Sequence, residues 1–318
     1  MAARPERLED TNALRAWVHQ VRDESSRCVA LIDPSRYQDP GACAHALGIE
    51  LSVFALMPNL YAKYAKSIRE LGPRLWTGES HDPGWDRVFT EALERQAASF
   101  LVVPRNERGL EEHLTGLIRM PQPDGGNLLF RFQDVVVLGA LAPLLSGTQR
   151  RALLGPACHW LMVDVCRYPV CIDGPGTTAQ GIPTLRLDPL QIDALGEALV
   201  PLTIIFQTNE TDSSLLAGLD KCEQVGLIRE RMRRARGHGL VRAEDIALYC
   251  ILSLQLPDGF DRNGPVAEAL QEARTRDIGF GETIDKVPVE RWRAMDELMD
   301  AGALADDPTL KQDNELPR

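Results

Sequence analysis

The sequence predicts an α/β fold in which an N-terminal mixed-sheet α/β lobe, residues 1–184, precedes a mainly helical C-terminal lobe, residues 185–318. In the first half, short apolar runs bounded by Asp, Pro and Gly alternate with stretches of helical periodicity. Helical periodicity dominates after residue 185. Between the two halves, residues 174–189 are rich in Gly and Pro and lack helical periodicity, which is typical of a linker.

The N-terminal lobe is predicted from apolar runs and from the spacing of large side chains. Trp85, Phe89 and Leu93 recur every four residues, which predicts an amphipathic helix, and Asp134 precedes a leucine-rich helical stripe as its N-cap. Strands are predicted at 28–32 (CVALI), 52–57 (SVFALM), 99–104 (SFLVVP), 128–132 (LLFRF) and 159–165 (HWLMVDV), and further helices at 39–47, 110–117 and 148–154.

The C-terminal lobe is predicted to consist of helices separated by Gly and Pro breaks, and no fixed-period repeat is present. The predicted helices cover residues 189–199, 213–236, 243–256, 265–276 and 289–299. The basic run RERMRRARGHG, residues 229–239, falls at the end of one of them. Cations are favoured there by the helix dipole, so the run is either a solvated helix end or a docking patch for an acidic partner.

Composition argues for a soluble globular protein. Of the 318 residues, 44% are hydrophobic and 25% are charged, and the formal net charge is −11. Because binding to a phosphate backbone requires a basic surface, we expect no nucleic-acid partner. We also expect no membrane insertion, since no run of about 20 apolar residues is evident, and a cytoplasmic location, since the first residues lack a secretory pattern.

The motifs of common catalytic sites are missing from the sequence. It contains no GxxxxGK[ST], GxGxxG, GxSxG, HExxH or CxxC pattern, so we predict no catalytic, cofactor-binding or metal-binding residues. Two alternatives stay open, an enzyme and a purely structural or self-associating protein. Asp33, Asp134 and Asp164 follow or border predicted strands, and an α/β enzyme with an Asp-lined active site is the competing hypothesis. Single Asp residues at such positions more often cap helices.

Arg131 and Asp134 interrupt the apolar segment NLLFRFQDVVVL, residues 127–138. An isolated charge is costly to bury, so the two are expected to be paired, exposed at the end of an element, or used by a ligand. In the simpler interpretation Asp134 caps the following helix and Arg131 reaches the same carboxylate.

The segment LLFRFQDVVVL, followed by GTQRRALLGPACHW, resembles the adaptor chaperones of the bacterial type VI secretion system. That family has an apolar strand ending in Arg-Phe-Tyr-Asp-Pro, then a leucine-rich helix, a Gln, and a Gly-Pro before a Trp. This chain departs from the pattern at Gln133, where Tyr is usual, and at Val135, where Pro is usual. The matching residues, in order, are Phe130, Arg131, Phe132, Asp134, Leu138, Leu141, Gln149, Gly155, Pro156 and Trp160.

The resemblance implies a cytoplasmic adaptor that binds a toxic effector and promotes its loading onto the VgrG or PAAR spike protein, without catalysis or cofactors. Phe130, Arg131, Phe132, Asp134, Gly155, Pro156 and Trp160 would then be its motif or partner-binding residues, with Arg131 and Asp134 facing an effector segment. Such binding needs an apolar groove or an open sheet edge. Candidate aromatic anchors are Tyr61, Tyr64, Trp76 and Trp160, although large aromatic residues more often belong to the core.

Overall fold

A computed structural model describes residues 6–78, 84–122, 125–174 and 184–293. Its contacts divide the chain into two compact units, Met1–Leu199 and Val200–Arg318. The sequence placed this boundary at residue 184, but Leu185, Leu187 and Leu195 pack into the core of the N-terminal unit. The predicted linker falls largely on residues 175–183, which lie outside the described residues.

The N-terminal unit is built around a five-stranded sheet with the order β2-β1-β3-β6-β7, and β4 pairs with β5 in a separate hairpin. All the strand pairs that the structure describes are antiparallel. The strands are β1 Ser26–Ile32, β2 Arg74–Trp76, β3 Ala98–Pro104, β4 Arg119–Pro121, β5 Asn127–Leu129, β6 His159–Val163 and β7 Pro169–Asp173. The predicted fold class, a sheet with helices followed by a mainly helical region, is confirmed.

The central strands β1 and β3 are buried along almost their whole length because both faces of the sheet are covered by helices. Side chains alternate between two cores, as the period of two in a strand requires. Val29 and Leu31 face one core, whereas Ala30 and Ile32 face the other. The unit therefore has a helix layer on each face of its sheet.

Several helices of this unit begin directly after an Asp or Ser residue whose side chain caps the helix N-terminus. Asp39 accepts a hydrogen bond from the backbone N–H of Ala42, and Ser146 forms a capping box with Gln149. The helices are α1 Thr11–Val21, α2 Pro40–Leu47, α3 Leu51–Leu56, α4 Lys66–Glu70, α5 Gly84–Glu94, α6 Leu110–Leu117, α7 Val135–Leu141 and α8 Gly147–Leu154, and α9 Pro189–Asp212 begins in this unit.

Two strand predictions in the N-terminal unit need correction. Residues 52–57 were predicted as a strand but lie in helix α3, in which only Phe54 is buried. A short apolar run does not by itself distinguish a strand from a helix. The strand predicted at 128–132 ends at Leu129, because Phe130 and Phe132 turn into the core. Strands β2, β4 and β7 were not predicted.

The C-terminal unit is helical, as predicted, and its helices pack around Ile228, Tyr249 and Phe280. Helix α10 begins at Lys221 rather than at residue 213, because Asp220 and Glu223 form a capping box there. Residues 289–293 are helical, and the rest of the helix predicted at 289–299 lies outside the described residues. The remaining helices are α11 Ala243–Gln255, α12 Gly264–Arg276 and α13 Phe280–Ile284.

One helical stretch, Pro189–Leu216, is long and apolar enough to meet the criteria for a membrane span, and 17% of its most apolar window is buried. A single helix of this kind is weak evidence for a membrane span. The expectation that the chain does not insert into a membrane stays a prediction.

Gly155 is required by the turn that ends helix α8. Its φ is +56°, and a Cβ atom placed on it would lie 2.4 Å from the imidazole of His113. We expect Gly155→Ala to lower the free energy of unfolding by about 2–4 kcal/mol, because it combines backbone strain with overpacking. Urea denaturation followed by circular dichroism measures the change.

Gly139→Ala is the matched control. Gly139 lies inside helix α7 and has open space around the position of a Cβ atom, so the substitution should be neutral or stabilising by up to about 1 kcal/mol. Equal stability of the two variants would contradict the requirement for glycine at position 155.

Candidate functional site

The aromatic residues of the motif lie in the core of the N-terminal unit. Phe130, Phe132 and Trp160 are each at most 2% exposed. The ring of Phe132 packs edge-on against both Phe130 and Trp160, with centroids 5.8 and 5.9 Å away. The indole N–H of Trp160 donates a hydrogen bond of 2.9 Å to Ser99 Oγ. These three side chains stabilise the sheet and its helix layer and present no surface to a partner.

Gly155 and Pro156, the glycine and proline of the motif, are also structural. Gly155 and Pro156 are buried in the turn after α8, which leads into strand β6. Of the aromatic residues considered as anchors, Tyr61, Trp76 and Trp160 are buried, and Tyr64 is partly buried against the core that contains Tyr61 and Trp160. The structure therefore favours the core interpretation for these side chains.

Arg131 and Asp134 belong to a charged cluster that we call the Asp33–Asp134 cluster, formed by Asp33, Ser35, Arg36, Arg131 and Asp134. Asp134 caps helix α7, because its Oδ1 accepts a hydrogen bond of 3.0 Å from the Val136 N–H. The same oxygen accepts from Arg36 Nη2 at 2.5 Å. The cap predicted from the sequence is confirmed, and its closest cation is Arg36.

Asp33 is the most deeply buried member of the cluster, with a side chain that is 0% exposed. Its Oδ1 accepts hydrogen bonds from the N–H and the hydroxyl of Ser35, at 3.1 and 2.7 Å. Its Oδ2 lies 3.8 Å from Arg36 Nε and 3.9 Å from Arg131 Nη2. Burial raises the pKa of Asp33, although the hydrogen bonds from Ser35 and the two guanidinium groups oppose that shift.

Arg131 sits at the open side of the cluster. Its side chain is 46% exposed, and Nη2 donates a hydrogen bond of 2.8 Å to Ser35 Oγ. The same nitrogen lies 3.9 Å from Asp134 Oδ2, a longer contact than the one from Arg36. Arg131 is therefore the cluster member best placed to meet an external group, while Arg36 carries the main structural pairing.

The Asp33–Asp134 cluster pairs two carboxylates with two guanidinium groups, which is an ion-pair network rather than a ligand set for a cation. Asp164 lies apart from it and accepts from the N–H groups of Cys166 and Tyr168 in a turn. Within the described ranges, no three His, Cys, Asp or Glu side chains are grouped to hold a metal ion. Of the three Asp residues named by the enzyme hypothesis, Asp33 and Asp134 lie in one cluster and Asp164 does not.

A separate groove of about 420 Å³ lies beside helix α6 and is lined in part by Glu112, His113 and Arg119. Burial lowers the pKa of His113, whose Nε2 is 3.0 Å from the carbonyl oxygen of Leu153. With a lowered pKa, the neutral imidazole donates from Nε2 to that carbonyl. The hydrogen bond holds the imidazole ring against Gly155. The ring therefore packs on the turn after α8, which is a structural role.

Sequence reasoning missed an apolar surface on helices α3 and α4. Phe54 is the buried residue of α3, and it packs under the guanidinium of Arg74, which lies 5.2 Å from its ring centroid. The residues that we call the α3–α4 surface are exposed apolar residues of α3, of α4 and of the C-cap of α4, namely Leu51, Val53, Leu56, Ile68 and Leu71. The signal was present in SVFALM, but reading that run as a buried strand concealed it.

The cluster geometry predicts unequal effects for its two arginines. We expect Arg36→Gln to lower the free energy of unfolding by about 1.5–3 kcal/mol, because it removes the close partner of the poorly exposed Asp134 and a neighbour of the buried Asp33. Arg131→Gln should cost at most about 1 kcal/mol, because that side chain is nearly half exposed.

Urea denaturation of both variants at pH 7 measures the difference, and each variant is the control for the other. A larger loss in Arg131→Gln than in Arg36→Gln would contradict the assignment of Arg36 as the main partner.

No family model matches this sequence, and neither a curated protein nor a solved structure matches it. The resemblance to the adaptor chaperones stays a prediction from the residues quoted above.

Proposed function

We propose that this chain is a cytoplasmic adaptor chaperone that binds a toxic effector and promotes its loading onto the VgrG or PAAR spike of a type VI secretion system, and that it is not an enzyme. The ordered motif from Phe130 to Trp160 supports the family assignment. The observation that carries the binding role is the exposed α3–α4 surface. An adaptor has to offer such a surface to a client.

The α3–α4 surface has the chemistry of a protein-binding site. Leu56 is 86% exposed, and Leu51 and Val53 are each more than half exposed, within one six-residue helix. Removing apolar area from water favours association, and clustered exposed apolar side chains mark interaction surfaces. Single exposed leucines need no explanation, but three large apolar side chains exposed within one six-residue helix do.

Basic side chains accompany this apolar surface. Lys63, Lys66 and Arg69 are exposed on and beside helix α4, and Lys66 pairs with Glu70 at 3.6 Å. Because the chain as a whole carries a net charge of −11, a local set of cations next to leucines favours a client segment that is both apolar and acidic. Charges at the rim would guide association, and the leucines would supply most of the affinity.

The motif residues have a different role in this proposal. Phe130, Phe132 and Trp160 build the core, and Asp134 caps α7, so they maintain the unit that displays the client surface. Arg131 alone is exposed enough to contact a client directly. A family motif that is mostly structural is compatible with adaptors that carry different clients.

The alternative function is an α/β enzyme with an Asp-lined site. One observation favours it: burial raises the pKa of Asp33, and perturbed carboxyl groups are common in active sites. The same perturbation occurs in structural ion-pair networks, and the contacts of Asp33 with Ser35, Arg36 and Arg131 are of that kind.

The proposal is tested by co-expressing the tagged chain with the toxin and the spike protein encoded next to it. We expect a stable complex and more soluble toxin than without the chain. The variant Leu51→Ser, Val53→Ser, Leu56→Ser should weaken toxin binding at least tenfold, about 1.4 kcal/mol, because it removes the apolar contacts.

The matched control is Leu190→Ser, Val241→Ser, Val289→Ser, which changes three exposed apolar residues outside helices α3 and α4. It should bind like the unmodified chain, and circular dichroism should show both variants folded. Failure of the unmodified chain to bind toxin or spike would overturn the adaptor proposal. If both variants bound the toxin equally well, the α3–α4 surface would not be the toxin-binding site.

A further inference from the structure

Strand β7 is the outer strand at one side of the five-stranded sheet, and β2 is the outer strand at the other side. The edge of β2 is covered by a neighbouring segment of the chain, because the Leu75 N–H donates to the carbonyl of Pro58 at 3.1 Å. At β7, in contrast, no hydrogen bond from a described residue reaches the outward backbone groups. An open sheet edge of this kind is a template for pairing with another strand.

The outward backbone groups of β7 belong to its odd-numbered residues. The Gly174 N–H donates to the carbonyl of Cys158 at 3.2 Å, so the even-numbered residues are the ones that bond to β6. The backbone groups of Pro169, Cys171 and Asp173 therefore point away from the sheet. Cys171 and Asp173 each offer an N–H and a carbonyl, and Pro169 offers a carbonyl alone, since proline has no N–H.

We infer that the β7 edges of two copies of this chain pair antiparallel about a twofold axis at Cys171, which joins their sheets into a homodimer. In this register Cys171 lies opposite Cys171 of the second copy, and Pro169 lies opposite Asp173 of the second copy. Two hydrogen bonds join the Cys171 residues, and one joins each Asp173 N–H to a Pro169 carbonyl. The only outward group that finds no donor in this register is the Asp173 carbonyl, which stays open to water.

The side chains of the even-numbered residues support the same pairing. Ile172 is buried in the core that contains Trp160, and Val170 packs partly buried against that core. The register places each Val170 opposite Ile172 of the second copy, at a non-hydrogen-bonded position, where cross-strand side chains are closest. β-Branched side chains pack well at such positions, so the pairing covers apolar side chains as well as backbone groups.

The charge of Asp173 favours this register over others. It is the single charged residue of β7, and Arg150, 3.8 Å away, screens it only weakly because both side chains are exposed. A twofold axis at Asp173 would place two carboxylates directly opposite each other, which is destabilising. With the axis at Cys171, each carboxylate lies beside an uncharged proline.

The same charge favours a second copy over the client segment proposed above. That segment is expected to be acidic, so Asp173 would repel it from this edge. The strand has five residues, and its pairing buries less than the roughly 1,200 Å² of a stable interface. We therefore expect a reversible dimer with a Kd between about 10 μM and 1 mM.

Sedimentation equilibrium of the full chain up to about 1 mM tests the inference. The unmodified chain should shift from monomer to dimer as its concentration rises. Cys171→Lys places like charges at the twofold axis and should raise the Kd at least tenfold. Cys171→Ser is the matched uncharged control, and it should dimerise like the unmodified chain, which also shows that no disulfide is needed. Because Cys171 is exposed, circular dichroism should show both variants folded.

A charge swap tests the register itself. Cys171→Glu should also lose self-association, but an equimolar mixture of the Cys171→Lys and Cys171→Glu variants should form a heterodimer, because opposite charges then meet at the axis.

A chain that stays monomeric at every concentration would overturn the inference, and would leave the edge to an extended segment of another protein. A dimer that Cys171→Lys does not weaken would also overturn it, as would a mixture that forms no heterodimer. No toxin or spike protein takes part in the experiment, so its outcome is independent of the proposed adaptor function.

Discussion

The ion pair between Arg36 and Asp134 joins two places 98 residues apart in sequence, namely the turn after strand β1 and the start of helix α7. Asp33 and Ser35 on one side and Arg131 on the other complete the network. The constraint behind it is electrostatic. A carboxylate as buried as Asp33 is tolerated only with hydrogen bonds and nearby cations, so the chain segments that supply them must come together.

This constraint determines what the motif does. Since Asp134 is occupied by its cap and by Arg36, and the neighbouring phenylalanines are in the core, the residues that identify the resemblance maintain the N-terminal unit. Binding in the proposed function is assigned to the exposed side chains of α3 and α4, outside the motif. Separating the two roles would let one scaffold carry clients that differ while its interior stays the same.

The sequence was most informative where local physics decides the outcome. The continuous apolar runs of β1 and β3 predicted buried strands, and Asp134 before a leucine stripe predicted a helix cap. The apolar run at 52–57 was misassigned because six apolar residues fit a strand or a helix equally well. The pairing of Arg36 with Asp134 was not predicted, since no local pattern relates residues so distant in the chain. Strand β7, which begins at Pro169 and alternates little, gave no usable signal.

The central claim is that the ion pair between Arg36 and Asp134 stabilises the N-terminal unit by linking the turn after β1 to the start of α7. A double-mutant cycle between the two residues tests it. It compares the free energies of unfolding of the unmodified chain, Arg36→Gln, Asp134→Asn and the double variant at pH 7. The account predicts a coupling energy of about 1–3 kcal/mol, as expected for contacting charges with limited exposure. A coupling near zero would contradict it, and would leave the charges of the cluster free for a role in binding.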